Sequence, residues 1–505
     1  MRRTTEPLRL GRRAYGARSR RRHTLGRMPP DGASPATARK TAPGRRGLPL
    51  AVALCLGLLA SAFAADPTAP LRADLRHDPA ALAFRDAFVA GDVAWDEVLA
   101  RARSEGEVSW YHWGGSEDLN TWIERIVVPE LAQLGVRVRS VRVPDTRDAV
   151  DVILADAASA RGLGRGSVDL VWINGDNFRA LDAADLLFGP FADAVPAGAR
   201  YNLDEADPAA AINLQDLGTP TLRRSIPWFS GQYVCYVDTA RLGVADAPRT
   251  YAELEALARA RPGRFTYVRP PDYIGTAFVQ QALVEGHPEG ASAFLEDASS
   301  LPVAEVAQRL EGAFAMFRRL EPFLLGGGGV DGERGSPVYP PTAAAWERLL
   351  ANGEVDMACE DNVFHATLAV ESGRLPESVR TVVFPAGAMR VNKSFLAIPA
   401  NAPNPAAALV LADHLSSLAS HLSKLELIGF PLALDLETLS PAERAAVDAV
   451  SPDLRGLSYD ELAANAVPDM HVSWVRIVDR LWERWIAQAS DATWDEVVAS
   501  VLALP

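Results

Sequence analysis

The stretch VDLVWINGDNF, residues 168–178, decides how the rest of the chain is read. Val168–Ile173 is a short, largely apolar run of strand length, and Asn174-Gly175-Asp176-Asn177 closes it with turn formers that can cap a helix. A strand that hands over to a helix through a polar turn is the unit of an α/β fold. The unit recurs on both sides. Upstream, Trp95, Val98, Leu99 and Ala102 mark a helix face ended by Gly106. Val108–His112 is a strand, Trp113-Gly114-Gly115 a tight turn, and Ser116 the cap of a helix reaching about Leu134. Val136–Val143 is the next strand and Thr146–Ala160 the next helix. Downstream, Ser230–Val237, Phe265–Val268, Val355–Cys359, Val379–Phe384 and Ser394–Ile398 read as strands, with helices at Tyr251–Ala260, Thr276–Gly286 and Ala343–Ala351. This alternation predicts α/β architecture with a largely parallel sheet. Near the C-terminus, Trp474, Ile477, Leu481 and Trp485 form one helical stripe suited to core packing.

Charge divides the chain of 505 residues unevenly. Residues 1–46 hold 14 of the 51 Lys and Arg and 2 of the 64 Asp and Glu, so the remainder carries 37 basic and 62 acidic residues, a net charge of −25. So acidic a body argues against nucleic acid as a partner. Arg45-Arg46, the uncharged run Gly47–Ala64 and the small-residue site Ala62-Phe63-Ala64 have the order of a secretory signal, with cleavage expected after Ala64. A membrane anchor would need about 20 apolar residues, and this run is shorter and contains Pro49. Cys55 is a poor lipoprotein cysteine because bulky Leu54 precedes it. Sec and twin-arginine export both stay open, as do Met1 and Met28 as the start. Cys235 and Cys359 then remain, read as two small buried residues in preference to a bridge.

Enzymatic motifs are missing. The chain has no G-x-S-x-G, no H-E-x-x-H, no phosphate-cradling glycine loop and no Cys/His cluster at metal-ligand spacing, so no catalytic residue, metal or cofactor is expected. What stands out is a set of strand-to-helix turns, where open α/β sheets collect ligands. These are Trp113-Gly114-Gly115-Ser116, Asn174-Gly175-Asp176-Asn177, Tyr273-Ile274-Gly275-Thr276 and Glu360-Asp361-Asn362. Each alone could be a plain capped turn. Together they share backbone donors, amides, acids and aromatic faces.

Several of these residues lie in longer motifs. Glu105–Gly115 (EGEVSWYHWGG), Val168–Phe178, Leu187–Phe191 (LFGPF), Gly353–Ala358 (GEVDMA) and Asn392–Pro399 (NKSFLAIP) resemble the YnjB-type solute-binding proteins of ABC importers, across roughly residues 92–490. The resemblance implies a two-lobed periplasmic-binding-protein type II fold, hinged by two chain crossings near Tyr233–Asp238 and Pro385–Ser394. Residues 1–64 would be leader and signal peptide, 65–91 a lead-in, 92–235 plus 390–505 lobe one, and 236–389 lobe two. It further implies a periplasmic monomer that captures a small solute by hinge closure and docks on an ABC permease with its ATPase. Cleft candidates are Trp113, Gly114, Ser116, Asn174, Gly175, Asp176 and Asn177 from lobe one. Tyr273, Gly275, Thr276, Glu360 and Asp361 come from lobe two, Ser394 from the return strand, and Trp228 and Tyr233 from near the crossing. Acids beside aromatic faces favour a small organic cation, thiamine-like or polyamine-like, over a neutral solute or an oxyanion. A sensor or chemoreceptor partner with the same fold, or an enzyme on a two-lobed α/β scaffold, are the competing readings.

Overall fold

The structure is a computed structural model describing residues 68–328, 335–384 and 391–504. The basic leader, Cys55 and the expected cleavage site after Ala64 lie outside the described residues. The lead-in is not featureless, since Asp78 caps a helix at Pro79–Val89.

The strands read before residue 175 form as expected: β1 (Glu107–Trp113), β2 (Arg137–Val143) and β3 (Leu170–Ile173) pair in parallel around β1. Gly106 ends the preceding helix in the left-handed region, at φ 76°, which spares the strain a side chain would bring there. Next comes a small hairpin, β4 (Gln215–Asp216) and β5 (Thr219–Pro220), followed by β6 (Ser225–Gln232) and β7 (Val234–Asp238). Then follow β8 (Met357–Glu360), β9 (Val379–Val382) and β10 (Val391–Ala397). One sheet has the order β2-β1-β3-β10-β6, and another the order β8-β7-β9.

Three expectations change. The single strand read over Ser230–Val237 is two, β6 in the five-stranded sheet and β7 in the three-stranded one, with Tyr233 between them. The sheets are less parallel than expected. β10 runs antiparallel between β3 and β6, and β7 is antiparallel to both neighbours. Phe265–Val268 joins neither sheet; it is buried but tied instead to Leu325 and Val338, with Leu325 N donating to Phe265 O and Thr266 Oγ1 to Val338 O.

Two cores follow from the two sheets. Both faces of the five-stranded sheet bury residues drawn from 71–228 and 395–434. The three-stranded sheet buries residues drawn from 233–384 together with Leu425 and a C-terminal group from Leu454 to Val501. The whole of 390–505 therefore does not return to the first core. The Trp474, Ile477 and Leu481 stripe is core, as read, but its helix packs on the helices Tyr273–Gly286 and Trp494–Leu502. Besides the strand crossing at Tyr233 and the return to β10, the chain passes between the cores again between Leu434 and Leu454.

Cys235 and Cys359 face each other across β7 and β8 and are disulfide-bonded, 124 positions apart in sequence. The reading of two separate buried thiols is corrected here. Antiparallel pairing of two distant strands brings them together, and neither strand shows that pairing by itself.

Candidate functional site

The second core delivers its residues through two turns, one opening the helix at Tyr273 and one ending β8. The helix Tyr273–Gly286 starts three residues earlier than read, because Asp272 is its cap and accepts from Ile274 N at 3.0 Å. Its first turn is clamped from three sides. Tyr233 Oη donates to Ile274 O at 3.1 Å. Thr276 Oγ1 donates to Asp479 at 2.5 Å. A Cβ on Gly275 would stand 2.4 Å from Val268 O, so only glycine allows that approach. Held this way, Tyr273 is 42% exposed, and its hydroxyl accepts from Asn392 Nδ2 on β10 at 2.7 Å.

At the end of β8, Glu360 and Asp361 are half-buried, and Asp361 N donates to Glu360 Oε1 at 3.1 Å. Burial, and then the charge of Asp361, hold Glu360 well above the usual carboxylate range. Asp272 is raised by burial first, with Asp361 adding to it. No ion pair among the described residues involves Asp272, Glu360 or Asp361: they are three neighbouring acids without a base.

The five-stranded sheet contributes differently. Trp113 ends β1 and is 39% exposed, its indole laid over Gly115, where a Cβ would stand 2.0 Å from the ring. Gly114 O accepts from Asn120 Nδ2 at 2.8 Å, and Ser116 Oγ is spent accepting from Leu119 N as a helix cap. After β3, Asn174 is half-buried and Gly175 turns at φ 61° with its N–H given to buried Asp216 at 2.8 Å. Asn177 Nδ2 donates to Thr146 Oγ1, and exposed Asp176 faces Arg476 at 3.9 Å. The acid of this turn thus has a cationic neighbour.

An aromatic series joins the two sets. Trp113 stands edge-on to Trp172 at 6.1 Å, Trp172 to Phe229 at 6.3 Å, and Phe229 packs on Phe430 at 4.6 Å. A bulge opposite Ser394/Phe395 lets consecutive Trp228 and Phe229 both contact Trp172. Trp228 is corrected: it is fully buried, edge-on to Trp110 and Trp172 and under Lys424, and offers no face to a ligand. Tyr233, 2% exposed, braces the turn instead of lining it, and the Thr276 hydroxyl is turned to Asp479. Ser394 is buried on β10, opposite Phe229.

Next along the same face, Asn392 pairs with Gly231, and a Cβ on Gly231 would stand 3.0 Å from Asp361 O and 3.3 Å from its carboxylate. Trp113, Phe229, Asn392, Tyr273, Asp272, Glu360 and Asp361 therefore form one candidate surface. The sequence reading missed Asp272, Phe229, Asn392 and Phe430. Asp272 carried a signal as the capping acid before Tyr273, and Asn392 as part of the NKSF segment; Phe430 had none, because only the fold places it on Phe229. The described residues include no group of three or more His, Cys, Asp or Glu placed to hold a metal ion, and no helix long and apolar enough to cross a membrane.

Comparison with known proteins places this geometry in context. The sequence profile of the family described as bacterial extracellular solute-binding protein matches residues 130–434. Protein YnjB of Escherichia coli (strain K12) is 32% identical over 392 residues, 77% of this chain and 92% of YnjB. Among solved structures, a periplasmic-binding protein from Synechococcus sp. MITs9220 aligns over 78% of this chain and 97% of its own, with 19% identity and a TM-score of 0.54. The cyclic alpha-maltosyl-1,6-maltose binding protein from Arthrobacter globiformis aligns over 78% and 96%, with 14% identity and a TM-score of 0.51. At such identities these structures show the fold alone, the two-lobed α/β architecture of solute-binding proteins.

Proposed function

The chain belongs to the bacterial extracellular solute-binding proteins, among the YnjB-type members, and from that premise we propose that it captures a small organic cation, thiamine-like or polyamine-like, between its lobes. One observation carries the choice of ligand: Asp272, Glu360 and Asp361 lie together with no ion-pair partner among the described residues, on the surface where Trp113 and Tyr273 are also exposed. A cation there would gain both carboxylate contacts and cation–π contacts.

In this reading lobe one is built on the five-stranded sheet and lobe two on the three-stranded sheet with the C-terminal helices. Ligand bridges aromatic surface on one lobe and acid on the other, so it binds the closed form better and shifts the equilibrium toward it. The closed receptor, exported to the periplasm, docks on an ABC permease driven by its ATPase. Glu360 takes part as a proton partner: a cation displaces the proton that burial and the charge of Asp361 favour on it.

A thermal-shift screen with thiamine, spermidine, amino acids, sugars and oxyanions tests the proposal. A true ligand at a hundredfold excess over its Kd stabilises by about 2.7 kcal/mol. Shifts with oxyanions or sugars, and none with cations, would overturn the ligand class and leave the receptor role standing.

A further inference from the structure

β6 and β10 form a two-stranded ribbon at the hinge, and strand alternation gives it two faces. Phe229, Gly231 and Asn392 look into the cleft; Ser230, Gln232 and Lys393 look out behind it. Behind the ribbon lies a cavity of about 510 Å³, within the roughly 300–1,000 Å³ usual for small-molecule sites. Its walls come from both cores. Ile212 and Leu434 stand on the first side, Phe364 and Leu462 on the second. The ribbon is tied to both: Ser230 Oγ donates to Leu432 O and Gln232 Nε2 to Leu462 O at 2.7 Å, both leucines packing on the second core, while Lys393 reaches Asp435 beside Leu434 of the first. Charge in the wall is internally settled: Lys393 Nζ donates to Asp435 at 2.6 Å and to Asn213 at 2.5 Å.

We propose that this rear cavity is a second binding site, for an uncharged and mainly apolar small molecule, and that its occupancy favours the closed cleft. An uncharged ligand fits because the buried Lys393–Asp435 pair neutralises itself and the other charged residue of the lining, Glu437, is exposed to solvent. The direction of coupling follows from the ribbon's position. Rotation of the lobes about a ribbon with a cleft on one side and a cavity on the other closes one as it widens the other. A molecule filling the rear therefore resists opening of the front, and by linkage a cleft ligand tightens rear binding by the same factor. The coupling rests on the hinge-closure reading above; the rear binding does not.

The test uses N-phenyl-1-naphthylamine, an uncharged fluorescent apolar probe, with the folded protein. Saturable fluorescence enhancement is expected, weakened at least tenfold in Ala463→Phe, which fills the cavity from the helix Tyr459–Ala464, and in Ala209→Phe from the opposite wall. Thermal melts check that either variant is folded. No saturable enhancement, or equal enhancement in folded variants, overturns the site. Small-angle X-ray scattering should show a smaller radius of gyration with the probe bound. Compaction by whichever of spermidine or thiamine raises the melting temperature, without compaction by the probe, overturns the coupling alone. Compaction by neither overturns hinge closure, and the coupling with it.

Discussion

The turns after β1 and β3 and the turn after β8 end sheet strands, while the Asp272–Thr276 turn follows a segment outside both sheets, and the four differ in what they leave free. At the five-stranded sheet, polar groups are consumed locally. Ser116 caps a helix, Asn177 bonds Thr146, Gly175 bonds Asp216, and Asp176 has Arg476 nearby. What remains free is the face of Trp113. In the second core the polar groups around Tyr273 are partly spent, but three acids have no ion-pair partner among the described residues. Two turns of similar composition can thus supply opposite things, aromatic surface from one and charge from the other. A buried or half-buried carboxylate without a partner is costly, which is why the second set, and not the first, points to a cationic ligand.

The sharpest break in this comparison would come from neutralising the acids. Glu360→Gln/Asp361→Asn is expected to weaken the cation found by screening about 30-fold or more, the scale of a binding hot spot, as measured by titration calorimetry. Because the folded empty protein holds the Glu360 proton above the usual carboxylate range, affinity should rise with pH through that range, with proton release on binding. A pH-independent affinity would remove Glu360 from the site. Trp113→Ala, on the other side, is expected to cost about tenfold in affinity, or roughly 1.4 kcal/mol, without unfolding the protein. Unchanged affinity would leave the aromatic half of the comparison empty.

Smaller effects distinguish bracing from binding. Asp479 is pushed up to about 6 by burial, against about 3.9 when unfolded. The folded state therefore holds this proton more tightly, and stability is lost as pH rises from about 4 through 6. Asp479→Asn, which can still accept from Thr276, should raise stability at pH 7.5 by on the order of 1–2 kcal/mol and flatten this loss in denaturant titrations. Ser116→Ala should lower stability by about 1 kcal/mol, as lost caps do, and leave affinity unchanged. A fall in affinity there would mean that the five-stranded sheet gives the ligand a polar contact after all.

Much of this was legible in local sequence. VDLVWI followed by NGDN could be read as a strand running into a capped helix because strand length and cap chemistry are local properties. Trp113 and Tyr273 were found for the same reason, each sitting where a strand or loop opens a helix. Trp228 was misplaced because its strand position does not show the bulge that turns it into the core. Thr276 was expected to face a ligand as a helix-start hydroxyl, and the residue that claims it, Asp479, is 203 positions away.

The sequence by itself determined the order of strands, turns and helices, the acidic body with a basic leader, and the residue types gathered at the turns. These rest on periodicity, caps and composition, which act over a few residues. Only the tertiary structure decided that the C-terminal helices complete the second core and that Cys235 meets Cys359. It alone decided which of the four turns keeps unneutralised charge. Each of those depends on partners that are remote in the chain, and a side chain's partner determines whether its polar group is spent or free.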